Sequence, residues 1–277
     1  MRVRLGHSPD SDDAFMFYGL AEHKVPTEGF EFEHILQDIE TLNHWACEGR
    51  LEITAISVHA YATVADKYAI LTHGASMGDN YGPIVVTREP ASVDWLRGRR
   101  IAIPGTMTSA YLALRLFLGV DFPFDIIPFD QIMEAVRDGQ ADAGLLIHEG
   151  QLTHGQFGLH QVVDLGAWWH TETGGLPLPL GVNAVRRDLG AETMAGLSRV
   201  LKASIAYGLE HREPALKHAM RYARGLEVAT ADQFVSMYVN DWTLDLGARG
   251  QQSIRQFLER AHTQGIIAHA IPVDFVA

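Results

Sequence analysis

Short apolar runs, each closed by polar residues, alternate with stretches of helical period over the first two thirds of the chain. Residues 2–6 alternate and run into Gly6-His-Ser-Pro-Asp-Ser-Asp-Asp13, ahead of an apolar helix from Ala14 to about His23. Ser11 suits the N-cap of that helix, and Asp12 and Asp13 suit its electropositive first turn. Phe15, Met16, Phe17, Tyr18 and Leu20 leave little polar face, so the helix is expected to be buried. Strands follow at 30–36 and 53–58, with a short helix at 40–47 and another beginning near His59. This βαβαβα alternation implies a mostly parallel sheet with covered faces.

Residues 82–88 form a further strand, and after Pro90 the pattern restarts. A strand at 100–103, a Pro104-Gly105 turn and a helix at 108–118 lead to a strand at 125–129 and a helix at 131–138. Strands at 143–147, 160–164 and 178–187 come next. From about Glu192 to Gln264 the chain reads as helices, at 192–210, 213–224, 230–240 and 250–264. The order suggests an α/β protein of two lobes with two crossings. Residues 1–88 and 180–277 would make a large discontinuous lobe and 89–179 a small inserted one, with 82–88 and 180–187 as a paired hinge. One doubly wound domain is the alternative.

The stretch Ala141-Asp-Ala-Gly-Leu-Leu-Ile-His-Glu149 stands out, because a strand buried on both faces ends at once in His148. In open α/β sheets ligands are met at the carboxyl ends of strands, and histidine titrates near neutral pH. Three further polar clusters fall at strand-to-helix turns. Ser8 to Asp13 reads as helix capping or as ligand contact. A calcium loop is excluded because Phe15 stands where the sixth-position Gly is required. Pro104-Gly105-Thr106-Met107-Thr108-Ser109 reads either as a nest of N–H groups suited to a carboxylate or as a capped helix start with no ligand, and it has neither the Gly pattern nor the Lys of a nucleotide loop. Ser57 ends the third strand. His148, His154 and His160 recur every six residues, a spacing that fits no metal site, so none is expected. Trp168-Trp169 reads either as a wall for a flat ring or as core.

Composition narrows the partners. A net charge of −12 argues against nucleic acid and anionic membranes, yet leaves room for a small anion held by local N–H groups. Cys47, the single cysteine, cannot form an internal disulfide and reads as filler on a short helix. No signal-peptide core or membrane-length apolar run is present, so a cytoplasmic setting is expected.

Taken together, Ser8-Pro9, Asp38-Ile-Glu-Thr-Leu-Asn43, Pro104-Gly105 with Thr108-Ser109-Ala110-Tyr111, Leu146-Ile147-His148-Glu149, Val163-Asp-Leu-Gly-Ala-Trp-Trp169 and Leu176-Pro-Leu-Pro-Leu-Gly181 resemble the 1,4-dihydroxy-6-naphthoate synthases of the futalosine route to menaquinone. The resemblance spans nearly the whole chain. It implies a type II periplasmic-binding-protein fold, two lobes closing over a cleft. It also implies a lyase that converts cyclic dehypoxanthine futalosine to 1,4-dihydroxy-6-naphthoate and releases a three-carbon, dihydroxyacetone-type fragment without a cofactor. By the same resemblance His148 is the catalytic base, and Ala55-Ile56-Ser57 and Thr108-Ser109 bind substrate, with Ser8, Asp38, Gly105 and Thr106 as further candidates. The family commonly shows Ser-Pro-Cys-Pro-Asn-Asp-Thr-Phe where this chain has Ser8-Pro-Asp-Ser-Asp-Asp-Ala-Phe15, which leaves room for a divergent substrate. A sister enzyme such as chorismate dehydratase and a non-catalytic solute-binding protein are the competing readings.

Overall fold

The computed structural model describes residues 1–119, 121–223 and 225–277. Its strands sort into two sheets. The chain first lays down β1 (Arg2–His7), β2 (Glu31–Leu36), β3 (Ile53–Ser57), β4 (Tyr68–Leu71) and β5 (Ser76–Gly78). It crosses to build β6 (Ile84–Thr87), β7 (Ile101–Ile103), β8 (Phe124–Ile126), β9 (Ala143–Leu146) and β10 (His160–Asp164). It then returns through β11 (Leu178–Arg186) and ends in β12 (Phe275–Val276).

The first sheet runs β12-β4-β11-β3-β1-β2 with β5 beside β11, and the second runs β10-β6-β9-β7-β8. Neither is mostly parallel. β11 is antiparallel to β3, β4 and β5, and β6 is antiparallel to β9 and β10. The return strand runs against its neighbours because it enters the first sheet from the opposite end.

The expected pairing of residues 82–88 with 180–187 is corrected. β6 belongs to the second sheet, and the strand that pairs with β11 at the crossing is β5, with Met77 opposite Pro179. Residues 84–87 therefore lie with the second lobe rather than the first. The first helix is also revised. It breaks at Phe17 into Ser11–Met16 and Tyr18–Ala21, and Asp10 rather than Ser11 is its N-cap, accepting from the Asp13 amide at 3.3 Å. Of the expected helix at 213–224, the described part is Arg212–Ala219 with a 3₁₀ turn at Met220–Tyr222, and residue 224 lies outside the described residues.

Helix Gly247–Thr263 buries Gly250, Ser253, Ile254, Phe257, Leu258 and Ala261, one stripe of a 3.6-residue period. Trp169 packs on that stripe, its Nε1 donating to Ser253 Oγ at 3.1 Å and its ring 5.3 Å from Phe257. It is fully buried, so it is core and not a cleft wall. Cys47 is half-buried on helix Ile39–Cys47 with Sγ 3.5 Å from the Asn43 carbonyl, as a packing residue would be. One continuous apolar cluster joins Ile56 and Tyr68 of the first sheet to Ile101 and Leu145 of the second, through Leu178 and Phe257. The two sheets thus share one buried apolar cluster. Among the described residues no helix is long and apolar enough to cross a membrane.

Candidate active site

A cavity opens where the carboxyl ends of β1, β3 and β9 meet the crossing strand β11, as expected for an α/β architecture. The first lobe contributes Ser8, Asp10, Asp12 and Asp13 from the turn after β1, and Ala55 and Ser57 from β3. The second contributes Thr108, Ser109, Ile147, His148 and Gln151, while Phe234 and Tyr238 come from helix Val228–Tyr238.

β9 stops at Leu146, and His148 follows at φ +52°, the left-handed region that costs a non-glycine residue about 1–2 kcal/mol. That backbone turn swings the imidazole across the cleft. Its Nδ1 lies 3.4 Å from Asp10 Oδ2, and its ring sits between Phe129 at 4.6 Å and Phe234 at 6.4 Å. Tyr238 closes the same side by donating its hydroxyl to Gln151 Oε1 at 2.7 Å.

Three aspartates share the turn opposite, and all are buried. The Ser8 amide donates to Asp13 Oδ2 at 2.6 Å, and Asp12 Oδ1 has no hydrogen-bond partner. Burial, reinforced by the neighbouring Asp13, raises the Asp10 carboxyl, and its hydrogen bond with Asp12 pulls it back down. Burial and the nearby Asp12 push Asp13 to about 8, and burial with Asp10 beside it drives Asp12 well above the ordinary range. Asp10 and Asp12 are hydrogen-bonded to each other, which lowers the first and raises the second, so the proton the pair retains rests on Asp12. Asp10, Asp12 and His148 each place an atom within 4.8 Å of the others, a convergence only the fold creates. The 3.4 Å between Asp10 Oδ2 and His148 Nδ1 is also about the spacing of two ligands on one small cation.

The nest at 104–109 differs from expectation. Glu40, from helix Ile39–Cys47, reaches across the lobes and accepts the Met107 amide at 3.1 Å, so a protein carboxylate takes the place foreseen for a ligand's. Gly105 and Thr106 do not line the cavity. Thr108 caps helix Ser109–Leu118 through the Tyr111 amide at 3.2 Å. Ser109 Oγ donates to the Leu180 carbonyl at 2.5 Å and accepts from the His59 amide at 3.2 Å. Both hydroxyl residues nonetheless border the cavity.

The segment Asp38–Asn43 works from behind. Asp38 does not line the cavity; it caps its helix by accepting from the Thr41 amide at 3.0 Å. Asn43 is fully buried and grips Ser57 twice, accepting from its amide at 2.8 Å and donating to its Oγ at 3.1 Å. Ile56 points into the core. Ser8, Ala55, Ser57, Thr108, Ser109 and His148 are thus brought together, whereas Asp38, Ile56, Gly105 and Thr106 are not. Gln151, one helical turn beyond His148, could have been found from that spacing. Phe234 and Tyr238, four apart, read in sequence only as a helix's core face.

Comparison with known proteins agrees with this architecture. A family model described as "Menaquinone biosynthesis" matches residues 3–263. A Thermus thermophilus relative named 1,4-dihydroxy-6-naphtoate synthase is 41% identical over 266 residues, covering 96% of each chain. The crystal structure of an Archaeoglobus fulgidus protein superposes with a TM-score of 0.91 at 47% identity, covering 96% of this chain and 98% of that one. The alkanesulfonate-binding protein SsuA of Xanthomonas axonopodis shares the fold alone, with a TM-score of 0.71 at 15% identity, covering 98% and 96%. The fold is that of the periplasmic-binding proteins. The chain belongs to the menaquinone-biosynthesis family, with the 1,4-dihydroxy-6-naphthoate synthases.

Proposed function

We propose that this chain is a carbon–carbon lyase of menaquinone biosynthesis, acting in the cytoplasm. It would convert cyclic dehypoxanthine futalosine to 1,4-dihydroxy-6-naphthoate with release of a three-carbon fragment. The observation that carries the reading is His148. It stands at the tip of β9, turned by a left-handed backbone into a cleft whose walls come from both lobes, in a chain 41% identical to a relative of that name.

In this reading the neutral imidazole removes a proton from the substrate, the carbon fragment leaves, and the gain of an aromatic ring drives the elimination. A positioned base contributes about 10²–10⁴-fold. His148 and its neighbours are largely withdrawn from water, which favours a carbanion-like state over its quenching. Ser57 and Ser109, held by Asn43 and by the His59 amide, supply fixed polar contacts for the substrate. The elimination is redox-neutral and calls for no cofactor.

A second reading, a sister enzyme such as chorismate dehydratase, is favoured by one observation: the residues that depart from the family's usual first turn, Asp10 and Asp12, line the cavity itself. Incubation of the purified protein with cyclic dehypoxanthine futalosine, and separately with chorismate, distinguishes them. The naphthoate chromophore is expected from the first substrate, with no turnover of the second. Dehydration of chorismate alone would overturn the lyase reading.

A further inference from the structure

We propose that Asp10 is a positioning residue for the reaction, its carboxyl holding Nδ1 of His148 so that the imidazole offers the Nε2 lone pair to the substrate. The inference rests on the reading of His148 as the base.

Three features of the site carry it. Asp10 is 2% exposed and its other oxygen is anchored, Oδ1 accepting the Asp13 amide at 3.3 Å as the cap of helix Ser11–Met16. Its carboxyl therefore has little freedom, and Oδ2 is aimed at His148 Nδ1 from the opposite lobe at 3.4 Å. His148 is constrained in turn, by φ +52° in its backbone and by the Phe129 and Phe234 rings beside it.

The tautomer follows from the contact. Free imidazole in water favours the proton on Nε2, which would leave the lone pair facing the wrong way. Asp10 and Asp12 share a hydrogen bond that lowers Asp10 and raises Asp12, so Asp12 holds the proton of the pair and Asp10 is the acceptor. Its oxygen fixed beside Nδ1 then favours Nδ1–H and turns the Nε2 lone pair to the substrate. When the substrate proton moves to Nε2, the ring becomes an imidazolium with Asp10 already beside it. Asp12, Asp13 and Glu149 are the other carboxyl groups in this cluster; Asp12 brings an oxygen within 4.8 Å of a His148 ring nitrogen, and Asp10 Oδ2 lies 3.4 Å from Nδ1.

The test is kinetic and spectroscopic. Asp10→Asn keeps the helix cap, since asparagine caps as well as aspartate. It is expected to lower kcat on cyclic dehypoxanthine futalosine by roughly 10- to 10³-fold with KM changed less than about threefold. Asp10→Ser, which also caps, should repeat that pattern if the loss is not a folding defect. The double variant Asp10→Asn/His148→Ala should be no slower than His148→Ala alone, because the two residues act as a unit. In histidine-¹⁵N spectra, with the signal assigned by its loss in His148→Ala, the wild type should show Nδ1–H and Asp10→Asn a shift toward Nε2–H.

An unchanged kcat and an unchanged tautomer in Asp10→Asn would overturn the proposal while leaving His148 as the base. Losses that multiply in the double variant, or activity abolished by a chelator and restored by Mn²⁺ or Zn²⁺, would overturn it as well. Full turnover by His148→Ala would instead remove the reading on which it rests.

Discussion

Replacing Asp12 by asparagine takes away a carboxyl that is 7% exposed, has no hydrogen-bond partner at Oδ1, and faces Asp10. Its folded-state pKa is raised well above the ordinary value, chiefly by burial and then by Asp10. In the pH range between the ordinary carboxylate value and the raised one, the folded chain binds a proton that the unfolded chain has lost. Stability must then fall as pH rises through that window. A neutral amide at this position carries no such penalty, so Asp12→Asn should gain nothing near pH 4 and progressively more toward pH 8. Each pH unit inside that window is worth about 1.4 kcal/mol, so one or two units of it give a gain of about 1–3 kcal/mol. Unfolding a chain of 277 residues has an entropy of roughly 0.6 kcal/mol/K, so the gain corresponds to a Tm increase of about 2–5 °C. Differential scanning calorimetry of both proteins at pH 4.5, 6.5 and 8.5 measures it. A Tm difference that stays flat across these pH values, or a variant less stable at pH 8.5, would refute the argument that these carboxyls are strained by burial.

Three other substitutions probe packing and the contact between the lobes. A Cβ on Gly166 would collide with the Tyr81 carbonyl oxygen, whereas one on Gly155 meets nothing within 4 Å. Gly166→Ala should cost more than about 3 kcal/mol or yield insoluble protein, and Gly155→Ala should be nearly neutral in urea titration. Glu40→Ala strips the acceptor from the Met107 amide and should cost about 1–2 kcal/mol. Because that bond joins the lobes, KM should rise more than kcat falls, and steady-state kinetics beside a melting curve will show whether it does.

Much of this organisation is legible locally. β10 falls on the expected residues, β9 ends one residue early, and helix Ser109–Leu118 begins one residue past its expected start, because short apolar runs and capping residues act within a few positions. What eludes a reading along the chain is pairing at a distance. β5 rather than β6 meets β11 because only three residues, Ser76–Gly78, supply that edge, too few to carry a period. β4 and β12 hide for the same reason, the latter being two residues long. In the site, His148 announces itself at a strand tip, yet its contact with Asp10 spans the two lobes. The nest at 104–109 has the expected chemistry, but its occupant is Glu40, sixty-seven positions from Met107. Nothing near Asp38 distinguishes a cap from a ligand contact until the fold turns its side chain toward Thr41.

Turnover of cyclic dehypoxanthine futalosine by His148→Ala bears most directly on the central claim. The expected result is a kcat lower by about 10²–10⁴-fold, with the circular dichroism spectrum and the thermal midpoint close to wild type. A kcat within about threefold of wild type, in a variant equally folded, would contradict the assignment of His148 as the base.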